Sequence, residues 1–354
     1  METLKLNETP IRTSRNFNIN NIALEDIQIP EKIGKFNNVE IIGKNSKNNV
    51  DSNIKSCYLT YGLAKEFTNQ VEKQANQKLN ITLEGRKNQE MQIIFQFDEN
   101  NKHLVDYIQI EAKEEAKANV IIQYKSQEEI KAFHNGIIKL HAKRKANIDV
   151  ILVNLMNQNS NNFLSIENEL EEDAKVTYTI IDFGGKNSIT NVYSNLKGEL
   201  SNNIINTIYL GSKNQTFDLN YIAQLRGEKS NVNIQVEGAL KDNSKKHFKG
   251  TIDFKKGCKK AIGNEAENCM LLSNKAKSIA LPMLLCSEEE VEGNHSTSAG
   301  KIGEKELFYL MSRGLEKKEA MRLMVKARFH KILENIKNEE LRQKILDEID
   351  ERLD

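Results

Sequence analysis

At 354 residues the chain has room for one large domain or two of ordinary size, and its 51 basic residues nearly match its 50 acidic ones. A balance this close excludes a broad electrostatic footprint for nucleic acid or for an anionic membrane surface. With 38% hydrophobic and 29% charged residues, the composition is polar without being that of a disordered chain.

The N-terminal stretch METLKLNETPIRTSRNFNIN holds no apolar core of signal-peptide length, and no later segment approaches ~18 consecutive apolar residues. The four cysteines, Cys57, Cys258, Cys269 and Cys286, contain no CxxC pair, so neither a zinc ribbon nor a thioredoxin-type site is supported. Few cysteines in a chain of this length suit a reducing compartment. The expectation is a cytoplasmic protein with neither membrane nor nucleic acid as its partner.

Residues 1–88 read as a mixed N-terminal region, with one helix around YGLAKEFTNQVEKQANQ (61–77). Residues 89–300 are rich in Ile, Val and Thr runs broken by Asn, Gly, Lys and Ser, which reads as strand and turn. No proline occurs between Pro30 and Pro282, as suits continuous ladders that a proline would interrupt. Within this part Val120, Ile148, Val176, Ile204 and Val232 recur every 28 residues. Asn119, Asn147, Lys175, Asn203 and Asn231 precede them, and Tyr124, Leu152, Ile180, Ile208 and Val236 follow four positions on. The alternation buries one face of a strand, and the upstream asparagines are expected to take the turn conformation that most residues avoid. Each unit holds a second strand, as in GIIKL (136–140) and FLSIENEL (163–170).

A fixed period of this size signals stacked units that bury their apolar faces against one another. Two strands per unit with no helix between them predict a mainly β fold whose core is a right-handed parallel β-helix, or β-solenoid. A β-sandwich would seldom hold register this long. Ile148, Val176 and Ile204 should then stack in register, one coil apart.

Residues 301–354 are helical in pattern, over 304–315, 316–336 and 339–353, with Gly314 placed to end the first helix in a left-handed cap. Such helices either cap the open end of the solenoid or form a partner-binding face, since Met-rich, Arg-bearing helices make adaptable interfaces.

GKIGEK (300–305) lacks the spacing and the hydroxyl residue of a P-loop, and there is no HExxH, GxSxG or dinucleotide fingerprint. His295, in EGNHSTSAG, follows Glu292 and Cys286 closely, and imidazole, carboxylate and thiolate together suit iron or zinc. In a solenoid Cys258 and Cys269, on neighbouring turns, could approach one face.

The block EVEGNHSTSAGKIGEKELFYLMSRGLEKKEA resembles the C-terminal signature of the SufB/SufD family of iron–sulfur cluster assembly proteins, with the likeness strongest over about 170–340. The resemblance implies a parallel β-helix flanked by helical regions, in a complex with the ATPase SufC docked on the C-terminal helices. Leu307, Phe308, Tyr309, Met311, Met321, Met324 and Arg328 match that docking region. His295 matches a histidine implicated, in the SufD branch, at the SufB–SufD interface where the cluster is thought to assemble. Aligned on MLL (270–272), the cysteine typical of SufB falls at Glu267, and the glutamate that commonly follows the SufB histidine falls at Ser296. Both departures imply a SufD-like subunit.

The resemblance therefore implies a non-enzymatic assembly subunit with no catalytic residues of its own. Its partners would be a SufC-type ATPase and either a SufB-type paralogue or, as a homodimeric SufB-like scaffold, a second copy. The iron–sulfur cluster would be transient and shared with the partner, through a metal site to which His295, Cys286 and Glu292 contribute. A β-helix carbohydrate-active enzyme is the remaining class, but the repeat strands carry no obvious carboxylate cluster for it.

Overall fold

The computed structural model describes residues 3–13, 19–25, 27–43 and 57–354. From Gln77–Leu83 to Val291–Lys301 the chain alternates between an eight-stranded and a nine-stranded sheet, giving one strand to each per coil. Neighbours within each sheet run parallel and lie one coil apart in sequence. This is the predicted parallel β-solenoid, and its first strand already lies ahead of residue 89. At the N-terminal end Val39–Gly43 closes the nine-stranded sheet, antiparallel to Gln89–Phe97.

The corners come from a local pattern. Glu115, Lys145, Asp173, Leu200, Lys229 and Lys260 adopt left-handed backbone conformations, with φ of 55–59°. Each precedes a small, fully buried residue: Ala116, Ala146, Ala174, Ser201, Ser230 and Ala261. The small residue closes the turn, as where Ala146 N donates to Lys143 O at 2.9 Å. The left-handed residue reaches the next coil, as where Lys145 N donates to Glu172 O at 3.0 Å. The asparagines expected in this role lie inside strands instead; Asn203 is buried, and its Nδ2 donates to Val176 O at 3.0 Å.

Stacking corrects the predicted register. Ile148 pairs with Val176, 28 residues on, as expected, but Val176 pairs with Asn203 and Ile204 lies beside Thr177. Val120 stacks on Val150 rather than on Ile148. In the nine-stranded sheet successive parallel strands are offset by 27 to 31 residues, an average close to the apparent period. The corners absorb the differences, because a residue gained or lost there leaves the ladders intact.

Both outer faces are covered along the middle of the stack, so several strands there are apolar on both sides, as VILV (150–153) is. The N-terminal hairpin Leu4–Leu6/Ile22–Leu24 and helix α1 (Lys65–Gln74) lie over one sheet, with Leu6, Leu63 and Phe67 meeting Phe133, Phe163 and Ile189. Asn7 pins that strap: its Nδ2 donates to Asp218 Oδ1 at 2.6 Å, and Asp218 also pairs with Lys249 at 2.6 Å.

At the other end of the chain are α2 (Glu304–Ser312), α3 (Lys317–Leu333) and α4 (Glu339–Leu353). Gly314, with φ of 97°, follows α2 as predicted. A Glu316/Glu319 capping box starts α3, and Asn338 caps α4 by accepting from Leu341 N at 2.9 Å. Val325, Phe329, Ile332, Leu341 and Ile345 pack on outward residues of the nine-stranded sheet, among them Ile151, Ile181 and Ile208. The helices therefore flank the solenoid and do not cap its end, because the apolar residues that match their buried stripe lie along the sheet's side.

Candidate functional site at the open end of the solenoid

The last coil ends in two edge strands, Lys277–Cys286 and Val291–Lys301, each bonded to a neighbour on one side only among the described residues. Val291–Lys301 is exposed from Glu292 to Lys301. A free parallel edge eleven residues long is a ready template for another chain, and small domains usually shield such an edge.

Side chains alternate along a strand, so register decides which residues share a face. Val291 pairs with Ala261, Gly293 with Gly263, His295 with Glu265, Thr297 with Glu267 and Ala299 with Cys269. Ala261, Gly263, Glu265, Glu267 and Cys269 are the buried, inward-facing set of their strand. His295 therefore takes an inward register position in the last coil, exposed because no coil lies beyond it. Glu292 falls on the opposite face. Cys286 ends its strand, exposed, with Sγ donating to Glu288 O at 2.9 Å. His295 lies four residues along from Val291, roughly 13 Å at strand rise.

The three candidate metal residues are thus not brought together. Among the described residues no group of three His, Cys, Asp or Glu is placed to hold a metal ion. Nor do Cys258 and Cys269 approach one face. Cys258 precedes the strand Ala261–Leu271 and lies within electrostatic reach of Cys286, whereas Cys269 lies near that strand's far end.

Beneath the open end the interior is polar, which the sequence reading missed. Lys246 Nζ pairs with Glu267 Oε1 at 2.7 Å, both side chains fully buried, and donates to Ile279 O at 3.3 Å. Tyr209 OH donates to the same Glu267 oxygen at 3.0 Å. Tyr209 reaches it by crossing Gly238, its register neighbour, where any Cβ would overlap the ring. Burial pushes the Cys269 thiol up, against the opposing pull of Lys246.

Glu265 differs from Glu267 in having no partner. It is 2% exposed, and neither carboxylate oxygen takes part in a hydrogen bond among the described residues. Burial, with Glu267 as a second cause, pushes its carboxyl up to about 8. The carboxylate lies over Gly250 of the facing sheet, where a Cβ would collide with it. The available signal was two glutamates alternating with Ala261, Gly263 and Cys269 on what is otherwise the core face.

The docking candidates divide. Phe308, Tyr309 and Met311 are 73%, 56% and 42% exposed, whereas Leu307 is buried. Met324 packs against the layer between α3 and the sheet, and Met321 is half-buried. Arg328 Nη1 faces its own solenoid, 3.8 Å from Glu237 Oε2. Leu323, 49% exposed on α3, was missed because a helical pattern alone does not say which apolar positions the sheet covers.

Residues 95–328 match the family described as SUF system FeS cluster assembly, SufBD core domain. The chain is 31% identical over 155 residues to the iron–sulfur cluster assembly protein SufD of Bacillus subtilis, covering 43% of this chain and 35% of that one. It is 25% identical over 244 residues to SufD of Escherichia coli, covering 69% and 58%. Against SufB of Bacillus subtilis identity falls to 22% over 194 residues, covering 55% and 42%. The chain thus spans between about a third and somewhat over half the length of these curated relatives.

Proposed function

The chain belongs to the SufB/SufD family of iron–sulfur cluster assembly proteins, and from that premise we propose that it works as a SufD-like subunit. In this reading it pairs with a SufB-type paralogue through its open end and binds a SufC-type ATPase through its C-terminal helices. It turns over no substrate itself. The growing cluster is cargo, held transiently between the two solenoids.

The observation that carries this reading is the unpaired strand Val291–Lys301 with His295 midway along it on the inward face. A partner strand laid on that edge would gain main-chain hydrogen bonds and bring its own ligands over the imidazole. One neutral imidazole binds iron weakly, so ligands from a second chain are needed. Glu267 and Ser296 stand where SufB commonly has cysteine and glutamate, which favours a paralogous partner over a second copy. On the ATPase side, Phe308, Tyr309 and Met311 form an exposed aromatic and Met cluster of the kind that interfaces enrich.

The test is anaerobic purification of the chain co-expressed with the paralogue and the ATPase, with iron and sulfide analysis. The expected product is a complex containing all three proteins. His295→Ala should leave the complex assembled and lower its iron and sulfide at least severalfold. Unchanged cluster content in a well-assembled variant would remove His295 from the site. Recovery of a homodimer with the ATPase alone would instead favour the self-paired scaffold.

A further inference from the structure

We propose that Glu265 is a second protein ligand, beside His295, for ferrous iron at the open end of the solenoid. The inference rests on the family reading above and deepens it, adding a donor to the histidine.

Glu265 lies one coil beneath His295 in direct register, on the same face of the same sheet. Neighbouring parallel strands are ~4.8 Å apart, so a carboxylate and an imidazole on adjacent coils can reach one ion between them. Nearby, Glu267 is neutralised by Lys246 and accepts from Tyr209 through Oε1, leaving only its Oε2 without a hydrogen bond. Glu265, by contrast, has neither carboxylate oxygen hydrogen-bonded among the described residues. A buried carboxylate without donors is costly to a fold and marks an unmet binding capacity.

The surroundings make room for it. Gly250, on the facing strand, is the position where any side chain would strike the Glu265 carboxylate. The coil beyond contributes Pro282 above Gly250 and His295 above Glu265. Neither Gly250 nor Pro282 carries a side-chain donor for the carboxylate. The group is thus shielded from protein donors sideways, while the register position directly above it belongs to an exposed histidine. Carboxylate oxygen with imidazole nitrogen is a donor pair that ferrous iron accepts. Binding releases whatever proton the carboxyl carries, and the ion supplies the positive charge that the interior does not.

Two donors leave the ion short of a full set, so the site would be complete only when the partner strand covers the end. The measurement therefore uses the co-purified complex, stripped of cluster and titrated anaerobically with ferrous iron alone in equilibrium dialysis. Glu265→Gln keeps the shape and removes the charge; it should bind iron at least tenfold more weakly while melting no lower than the unmodified complex. Combined with His295→Ala, it should cost little beyond the single variants, because both remove donors from one ion. A cobalt(II)-loaded complex adds a direct readout: its d–d absorption should change in Glu265→Gln, which a structural carboxylate would not produce. Iron affinity within twofold of the original in Glu265→Gln, with the cobalt spectrum unchanged, would overturn the proposal and leave the family reading standing if His295→Ala still loses iron. A complex that takes up no iron even unmodified would sink both.

Discussion

Asp182 shows how the interior handles a single charge. It is buried, accepting from Ser188 Oγ at 2.8–2.9 Å and from Asn154 Nδ2 at 2.8 Å. Burial nevertheless outweighs these bonds and pushes its carboxyl up to about 7 from an ordinary value of 3.8. Because the folded pKa is raised, the fold favours the protonated acid. Its stabilising contribution is fully present below about 3.8 and is lost as pH rises through about 7. The shift corresponds to a loss of up to about 4 kcal/mol. Asp182→Asn keeps comparable hydrogen bonding without the charge, so its stability should fall less between pH 4.5 and 8 than that of the unmodified protein. Denaturant midpoints at several pH values check this; parallel curves for the two proteins would mean that Asp182 does not titrate in this range. The group was invisible as such in the sequence, where Asp182 closes the strand YTIID like any turn-forming aspartate.

At the scale of the element, α3 separates what the sequence suggested from what packing permits. Arg328 lies toward Glu237, whose own carboxyl burial raises, so Arg328→Glu would set two acids against each other under the helix. Its cost should be on the order of 1–2 kcal/mol, and any loss of ATPase binding would be confounded with a shifted helix. Phe308 is the cleaner probe because its ring faces solvent. Phe308→Ser should leave the melting temperature within about 2 °C, since surface changes rarely move stability by more than ~0.5 kcal/mol. In a pull-down it should weaken retention of the ATPase at least tenfold, as loss of a ~2 kcal/mol aromatic anchor would. Full retention by a folded Phe308→Ser variant would place the docking surface elsewhere. The helix pattern was legible, but not which of its faces the solenoid had already taken.

For the whole molecule, the flanked sheets and the exposed edge strands of the last coil make a directional claim. In the isolated chain the outward-pointing amides of Lys277–Cys286 and Val291–Lys301 should exchange hydrogen quickly, while strands within the stack stay protected. Adding the paralogue should slow exchange in those edge strands and leave the outer face of α2 unchanged. Adding the ATPase should do the reverse. Protection of α2 on binding the paralogue, with the edges unaffected, would count against edge-to-edge assembly. No described helix is long and apolar enough to cross a membrane.

The sequence by itself determined the solenoid, because each coil repeats one bargain that local residues can state. An apolar alternating strand meets a corner ending in a buried Ala or Ser, as at Ala146, Ala174 and Ser230, and the next coil begins. It also carried the family signature around His295 and the helical pattern after Glu304. Register was decided only in three dimensions, since coils of unequal length shift Ile204 off Val176 while preserving the mean spacing. The same holds for the site. Glu265 and His295 are thirty residues apart in sequence, and only parallel stacking sets one directly above the other. Whether a glutamate is paired like Glu267 or bare like Glu265 depends on Lys246, from the facing strand of the same coil, and on Tyr209, from an earlier coil. Burial and partnership are properties of what surrounds a residue, and in a solenoid that surrounding comes from the coils above and below.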